Sequence, residues 1–122
     1  LDGIKAGDVA PRLVTDGCGA RERPAQIRAR PLNAIWATGP FLHNGSVPTL
    51  VDMLNPAAER PAVFYTGSRR FDEDSLGFES APAPGLFEFD TSLPGNANSG
   101  HEIGVDLPDD EKRALLEYLK TL

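Results

Sequence analysis

The sequence is poor in the residues that most often build metal and redox sites: it has one cysteine, two histidines and one methionine in 122 residues. The single cysteine, Cys18, excludes an internal disulfide and a cysteine-rich zinc site, because both need more than one thiol. No run of residues approaches the roughly 20 apolar positions of a membrane span. The 12 basic residues face 18 acidic ones and form no concentrated basic footprint, so we expect no nucleic-acid partner.

Glycine and proline are abundant instead, with 12 glycines and 11 prolines. Together they make up about a fifth of the chain, against an average usage of roughly 12%. This abundance is typical of turns and loops, and it leaves open a core that is organised around a ligand. The chain begins at Leu1 with neither an initiator methionine nor a signal peptide, so we expect a processed chain or a fragment.

The hydrophobic pattern divides the chain into a lead-in and a domain. Residues 1–27 carry little periodicity and are predicted to be irregular, whereas residues 28–122 are predicted to form one domain. Within it we predict short helices that begin at Pro31 and after Thr49, the second with an acidic residue at capping-box spacing. A last helix is predicted after Pro108, because acidic residues fill its first turn and leucines recur at i, i+4 and i+7.

The segment 56–100 shows little helical pattern. Residues 62–65 and 86–89 are predicted to pair as two short strands, and the prolines and glycines around them favour loops. A stretch of this length with so little regular structure indicates an inserted lobe or a loop that forms a site.

The two histidines, His43 and His101, are the residues best suited to bind a cofactor. An isolated histidine is more often a surface or hydrogen-bonded residue, but glycines flank His101 and would let the main chain approach a flat cofactor closely. No paired ligand spacing supports zinc, and no Gly-x-Ser-x-Gly motif supports a serine hydrolase. The aromatic residues are predicted to be ordinary core; they include Trp36, Phe41, Phe64, Phe87 and Phe89.

Two runs of residues resemble a known family. The run Arg28–Leu50 contains TGPFLHNGSVPTL and looks like the C-terminal domain of dihaem c-type cytochromes related to bacterial cytochrome c peroxidases. The run Leu86–His101, with the letters LFEFDTSLPGNANSGH, most resembles the branch of secreted rubber oxygenases and related dihaem peroxidases. The resemblance covers about residues 28–122. It implies a mainly α, cytochrome c-like haem domain with a loop-rich insertion that carries short strands.

The resemblance implies haem c as the cofactor and His101 as its distal axial ligand. Members of the family attach each haem through Cys-x-x-Cys-His, and this sequence contains no such motif. We therefore expect the thioether cysteines and the proximal histidine to lie upstream of Leu1, so that the chain is the distal half of a haem domain. Ligation by two histidines implies a lower reduction potential than a histidine–methionine pair and an electron-relay role.

The resemblance also implies roles for residues of the turn. In the peroxidases, the carbonyl oxygens of residues that correspond to Thr38 and Pro40 help to bind a calcium ion, and carbonyl oxygen is a ligand that Ca²⁺ prefers. His43 is expected to fix this turn or to lie behind the iron ligands, and Trp36 to pack near the haem edge.

Three functions remain open at the level of sequence. The first is an electron-transfer domain of a secreted or periplasmic dihaem oxidoreductase, with the upstream haem-bearing part and an electron-donor protein as partners. The second is a haem-free binding or scaffolding module on the same shell. The third keeps the peroxidase or oxygenase activity, although the chain alone is not expected to be catalytic because the resemblance puts substrate chemistry at the other haem.

Overall fold

The computed structural model describes residues 13–15, 20–22 and 29–122, and the chain divides into two units, Leu1–Pro31 and Leu32–Leu122. In the first unit, β1 (Leu13–Thr15) pairs with β2 (Ala20–Glu22) in an antiparallel ladder. The division of the chain into 1–27 and 28–122 stays a prediction from sequence.

The second unit contains two α-helices and two short 3-10 helices. Helix α1 (Leu50–Met53) begins where predicted, and the Thr49 hydroxyl oxygen accepts a hydrogen bond of 3.1 Å from the amide of Asp52. Helix α2 (Asp109–Leu119) follows Pro108 and confirms the last predicted helix. The 3-10 helices span Ile35–Ala37 and Ala57–Glu59.

The predicted first helix shrinks to the single 3-10 turn Ile35–Ala37. Ala34, directly before it, has a φ of 54°, a left-handed conformation that an α-helix cannot include. The amide of Ala34 donates instead to the carbonyl of Leu122 at 3.0 Å, so the beginning and the end of this unit are bonded together.

Four short strands lie between the helices, and all their ladders are antiparallel. Strand β3 (Val63–Thr66) pairs with β6 (Phe87–Asp90), which confirms the two predicted strands within one residue. Strands β4 (Phe71–Asp72) and β5 (Gly77–Phe78) form a hairpin. The amide of Tyr65 donates to the carbonyl of Ser80 at 3.0 Å and thereby links the hairpin to β3.

The prediction of a mainly α fold is wrong. The two α-helices contain only 4 and 11 residues, and antiparallel strands account for much of the remaining regular structure. The physical reason is the proline- and glycine-rich segment between α1 and α2, which occupies about three fifths of the second unit and cannot sustain the 3.6-residue periodicity of a helix.

The core packs α2 against α1 and the turn that precedes it. Its buried members are all apolar: Phe41, Val47, Leu50, Leu54, Leu76, Leu116 and Leu119. Phe64 is buried separately and stacks on Phe89 with ring centroids 5.1 Å apart. The sequence also predicts Phe87 to be core, but Phe87 is 67% exposed. It begins β6 opposite Thr66, at the end of the two-stranded ladder.

The β4–β5 hairpin inserts Leu76 into this core and brings Gly77 against the segment before α1. Leu76 is 2% exposed, and its carbonyl accepts a hydrogen bond from the amide of Leu50. A Cβ atom on Gly77 would lie 2.5 Å from the carbonyl oxygen of Pro48 and 2.9 Å from Cγ2 of Thr49. Gly77 is therefore required by close approach of two backbones.

Substituting Gly77 by alanine should lower the free energy of unfolding by about 1–3 kcal/mol, because the added methyl group forces two backbone segments apart. Chemical denaturation followed by circular dichroism measures the loss. Gly100→Ala is the matched control: nothing lies within 4 Å of the added Cβ, and its φ is not positive. Equal stability of the two variants would contradict the packing argument.

The turn of the same hairpin depends on an ionised carboxylate. Oδ1 of Asp72 accepts hydrogen bonds from the amides of Asp74 and Ser75. These bonds hold the pKa of Asp72 below its ordinary value, and those from Ser75 have the larger effect. Because the folded-state pKa is lowered, this carboxylate stabilises the fold above its unfolded pKa. The contribution is lost as the pH falls through the folded pKa.

We therefore expect the advantage of the wild type over Asp72→Asn in free energy of unfolding to be constant above about pH 5 and to shrink below about pH 4. Asparagine keeps an oxygen that can accept both amide hydrogen bonds but cannot ionise, so it isolates the charge. Denaturation curves at several pH values measure the difference. A difference that does not change with pH would exclude the carboxylate as its source.

Candidate functional site

A buried arginine organises the surroundings of His101. Arg60 follows the 3-10 helix Ala57–Glu59, and only 5% of its surface is exposed. Its Nε donates to the carbonyls of Asp52 and Asn55, both at 3.2 Å, and Nη2 makes a longer contact of 3.5 Å to the carbonyl of Met53. These three carbonyls lie at the end of α1, where a helix leaves carbonyl groups without partners.

The other side of the same guanidinium holds the segment that carries His101. Nη1 donates to the carbonyls of Asn98 and Gly100 at 2.6 Å each, and Nη2 donates to the carbonyl of His101 at 3.0 Å. One planar side chain thus joins the end of α1 to residues 98–101. No carboxylate of the described residues lies within ion-pair distance of Arg60, and its described hydrogen-bond partners are all main-chain carbonyls.

Further polar contacts fix the same segment on both sides of His101. The side-chain Nδ2 of Asn98 donates to the carbonyl of Pro61 at 3.1 Å, and the carboxylate of Glu102 accepts from the main-chain amide of Ala57 at 2.8 Å. Gly104 follows with its backbone packed against Leu54, where an added Cβ would lie 3.3 Å from a leucine methyl group. The main chain around His101 therefore has a defined path although it contains no regular secondary structure.

His101 itself combines a constrained backbone with a free imidazole. Its φ is 56°, in the left-handed region that residues other than glycine rarely occupy. The residue is exposed, and within residues 29–122 neither ring nitrogen takes part in a hydrogen bond. Ile103, two residues further on, is 82% exposed. Both side chains are therefore exposed at the surface of this unit.

These residues fit one axial position of a haem. Neutral imidazole nitrogen is a normal axial ligand of haem iron, and an apolar neighbour suits the porphyrin edge. The chain does not provide the covalent attachment, because its only cysteine is Cys18, and Cys18 lies outside the described residues. Among the described residues, no cluster of three or more histidine, cysteine, aspartate or glutamate side chains forms a metal site.

The turn that carries His43 is well defined. Phe41 and Val47 form a bridge that closes it, and Asn44 donates to the carbonyls of Gly95 and Ala97 at 3.1 and 2.9 Å. His43 is exposed at its tip. No hydrogen bond or ring contact joins His43 to His101 in the part of the chain that the structure describes.

Thr38 and Pro40 precede this turn and are both exposed. The Thr38 hydroxyl donates to the carbonyl of Ile35 at 3.0 Å. The carbonyl oxygens of Thr38 and Pro40 accept no main-chain hydrogen bond from the described residues.

The sequence predicts Trp36 to be core, but the side chain lies partly exposed at the surface. It is 37% exposed and packs edge-on against Phe71, with ring centroids 5.9 Å apart. Phe71 in turn packs edge-on against Phe78 at 5.8 Å. The open groove beside Trp36 has a volume of about 230 Å³, and Glu73 and Lys120 form its charged rim.

A larger groove of about 430 Å³ lies between α1 and the beginning of α2. Its apolar floor is Val51, Leu54 and Leu116, and charged side chains of both signs surround it. Leu54 also contacts Gly104, so the groove adjoins the segment that follows His101.

The ionisable groups with shifted pKa values lie away from His101. The Tyr65 hydroxyl donates to Glu88 at 2.5 Å, and this bond raises the pKa of Tyr65. A hydrogen bond to Glu117 raises the pKa of Lys120, and hydrogen bonds from Ser92 lower the pKa of Asp90. All of these are exposed pairs or turns of the kind that fix local structure.

Sequence reasoning missed Arg60. The available signal was its isolation, because it is the only basic residue between Arg30 and Arg69. An isolated basic residue in a segment of apolar and turn residues is a candidate for burial against main-chain carbonyls, but nothing in the sequence shows which carbonyls it meets.

Comparison with known proteins gives a family for part of this region. Residues 27–65 match the family described as RoxA-like, cytochrome c-like. The match confirms the resemblance to the rubber oxygenase-like branch, and it indicates a haem-binding class of domain that is typically extracytoplasmic. It includes the turn, α1 and Arg60 and ends before His101.

Two curated relatives come from Sinorhizobium fredii. "Uncharacterized protein y4iJ" is 52% identical over 110 residues, an alignment that covers 83% of this chain and 18% of the relative. "Uncharacterized protein y4iM" is 33% identical over 115 residues, covering 76% of this chain and 26% of the relative. The chain thus spans about a fifth to a quarter of the length of the curated relatives that it matches.

The left-handed backbone at His101 predicts an unusual response to glycine. In the absence of a ligand, His101→Gly should leave the free energy of unfolding unchanged or raise it by up to about 1 kcal/mol, since relief of the left-handed strain offsets the entropy cost of glycine. His43→Gly is the control: the φ of His43 is not positive, so it should lose about 0.5–1 kcal/mol. Equal losses in denaturation experiments would show that the backbone at position 101 is unstrained.

Proposed function

Because residues 27–65 match the RoxA-like, cytochrome c-like family, we propose that this chain forms the distal wall of a haem c site and supplies His101 as the axial ligand of the iron. The chain serves electron transfer at this haem rather than substrate turnover. The covalent anchors and the proximal ligand come from another part of the same protein.

The observation that carries the proposal is the state of His101. A left-handed backbone is retained where the surroundings over-determine it, and such positions cluster at ligand-binding sites. Here the surroundings are the Arg60 guanidinium and the Glu102–Ala57 contact, while the imidazole makes no bond of its own among the described residues. Among the described residues, the polar contacts at this position therefore hold the main chain of His101, and none of them uses its imidazole.

When bound, haem c supplies reversible one-electron chemistry between ferric and ferrous iron. The role of the chain is to present one imidazole nitrogen from a fixed backbone, with Ile103 as an apolar neighbour. Occupation of an axial position by His101 would keep small molecules from that face of the iron, which suits electron relay.

The turn residues have supporting roles in this proposal. The carbonyl oxygens of Thr38 and Pro40 contribute to a calcium site whose other ligands lie outside the turn. His43 fixes the turn, and Trp36 packs near the haem edge. The exposed positions of all four residues are consistent with contacts to a part of the protein beyond this unit.

The wider context of the domain is part of the proposal. The whole protein is a secreted or periplasmic dihaem oxidoreductase, a peroxidase or an oxygenase, in which this domain receives electrons from a donor protein. Its cytochrome c-like type supports a location outside the cytoplasm. The longest described helix has 11 residues, and no helix in the described part of the chain is long and apolar enough to cross a membrane.

The test is the iron spectrum of the complete haem-loaded protein with substitutions at His101. His101→Gly should convert a low-spin, six-coordinate spectrum at this haem into a high-spin, five-coordinate one. His101→Met should keep six-coordination and raise the reduction potential, because a thioether replaces the imidazole. Absorption and electron paramagnetic resonance spectra, with a redox titration, measure both effects.

The control is His43→Gly, which removes the other histidine and should leave the coordination unchanged. Unchanged spectra in both His101 variants would overturn the assignment of the ligand. A complete protein that unfolds cooperatively but shows no Soret band would instead support the haem-free binding or scaffolding module.

A further inference from the structure

We infer that Arg60 is the positioning residue for the axial imidazole: its guanidinium fixes the backbone of residues 98–101 and thereby sets both the orientation of His101 and the electrostatic field at the iron. This inference rests on the proposed ligation by His101. Arg60 acts through His101 and makes no contact with the iron itself.

The geometry of the guanidinium supports a positioning role. Its Nη1 donates hydrogen bonds to the carbonyls of Asn98 and Gly100, which precede His101, and its Nη2 donates to the carbonyl of His101 itself. Three successive bonds to residues 98, 100 and 101 leave this segment little freedom to rotate. The guanidinium is in turn held by the carbonyls of Asp52 and Asn55, so it is fixed on α1.

Within the described residues, no regular secondary structure fixes the segment that carries His101. Residues 91–107 contain no helix or strand, and His101 lies beyond the end of the β3–β6 ladder. Asn98 and Glu102 fix points before and after His101, and among residues 29–122 only Arg60 bonds the His101 carbonyl. A histidine on an otherwise unrestrained loop would lose side-chain and main-chain entropy when it ligates, and Arg60 removes much of that loss in advance.

The charge of Arg60 has a separate consequence. The guanidinium is buried, always protonated, and has no carboxylate of the described residues within ion-pair distance. A buried positive charge is screened little by salt, so it disfavours ferric iron relative to ferrous iron. Arg60 should therefore raise the reduction potential of a haem that His101 ligates.

Two substitutions separate geometry from charge. Arg60→Lys keeps the positive charge, but an ammonium group on a single stem cannot reproduce the planar fork that bonds carbonyls on both sides. Arg60→Gln removes the charge as well as most of the donors. Both are made in the complete haem-loaded protein, and the readouts are the spin state at this haem, its reduction potential and the rescue by added imidazole.

In both variants we expect the ratio of high-spin to low-spin iron at this haem to rise by about tenfold or more, because loss of even one charge-assisted hydrogen bond changes the loop equilibrium by that order. Added imidazole should restore the low-spin spectrum, as it should in His101→Gly. In the imidazole-rescued state, where the ligands are equal, Arg60→Gln should have a lower potential than Arg60→Lys. Circular dichroism melts show whether each variant is folded.

Arg70→Gln is the matched control, because it removes an exposed guanidinium whose contact with Glu79 is 3.9 Å long. It should change neither the spin state nor the potential. Folded Arg60 variants with a wild-type spectrum would overturn the inference, and loss of the cooperative melt in both would do so too, by assigning Arg60 to the fold as a whole. If His101→Gly also left the spectrum unchanged, the proposed ligation itself would have failed, and the two failures are thus distinct.

Discussion

The structure around the candidate site depends on one interaction, the burial of a guanidinium among main-chain carbonyl oxygens. Taking a charged group out of water costs several kcal/mol unless its donors are satisfied. Arg60 satisfies them with carbonyls from Asp52, Asn55, Asn98, Gly100 and His101 and a long contact to Met53. Since the same bonds satisfy carbonyls of α1 and of the loop, neither side can move without exposing unpaired polar groups.

This interaction fixes the path of the backbone, which regular secondary structure does elsewhere in the chain. A helix or a strand satisfies its own backbone and so defines its own path, whereas residues 91–107 have no ladder to follow. Side chains replace the ladder at intervals: Asn96 donates to the carbonyl of Asp90, Asn44 holds Gly95 and Ala97, and Arg60 holds residues 98–101. The loop is therefore ordered by polar contacts and not by burial in an apolar core.

The parts of the fold that sequence predicted are those with a local cause. The Thr49–Asp52 cap and the acidic first turn and leucine stripe of α2 act within a few residues, and the structure contains each of them. Ala34, whose left-handed φ is incompatible with the first predicted helix, donates its amide to the carbonyl of Leu122 at the far end of the second unit. The prediction of a mainly α fold was wrong because it came from the family resemblance. The local pattern of the proline- and glycine-rich segment had already favoured loops.

The same distinction applies to the candidate site. The glycines around His101 indicated a backbone that a ligand can approach, and the left-handed φ occurs at the histidine itself. Arg60 could not be assigned from sequence, because its partners lie up to 41 residues away and are main-chain atoms, which leave no side-chain pattern to read.

An exposed histidine is usually a solvated side chain, and exposure alone would argue against a ligand. The argument changes when backbone and side chain are considered separately. At position 101 the main chain is bonded to a buried charge, while the imidazole and the neighbouring Ile103 face outward. A fixed backbone with an unbonded ring is what one wall of a site requires when the opposite wall belongs to another part of the protein. Preorganisation of this kind lowers the entropy lost on binding, so a ligand can be held from a surface that offers few contacts of its own.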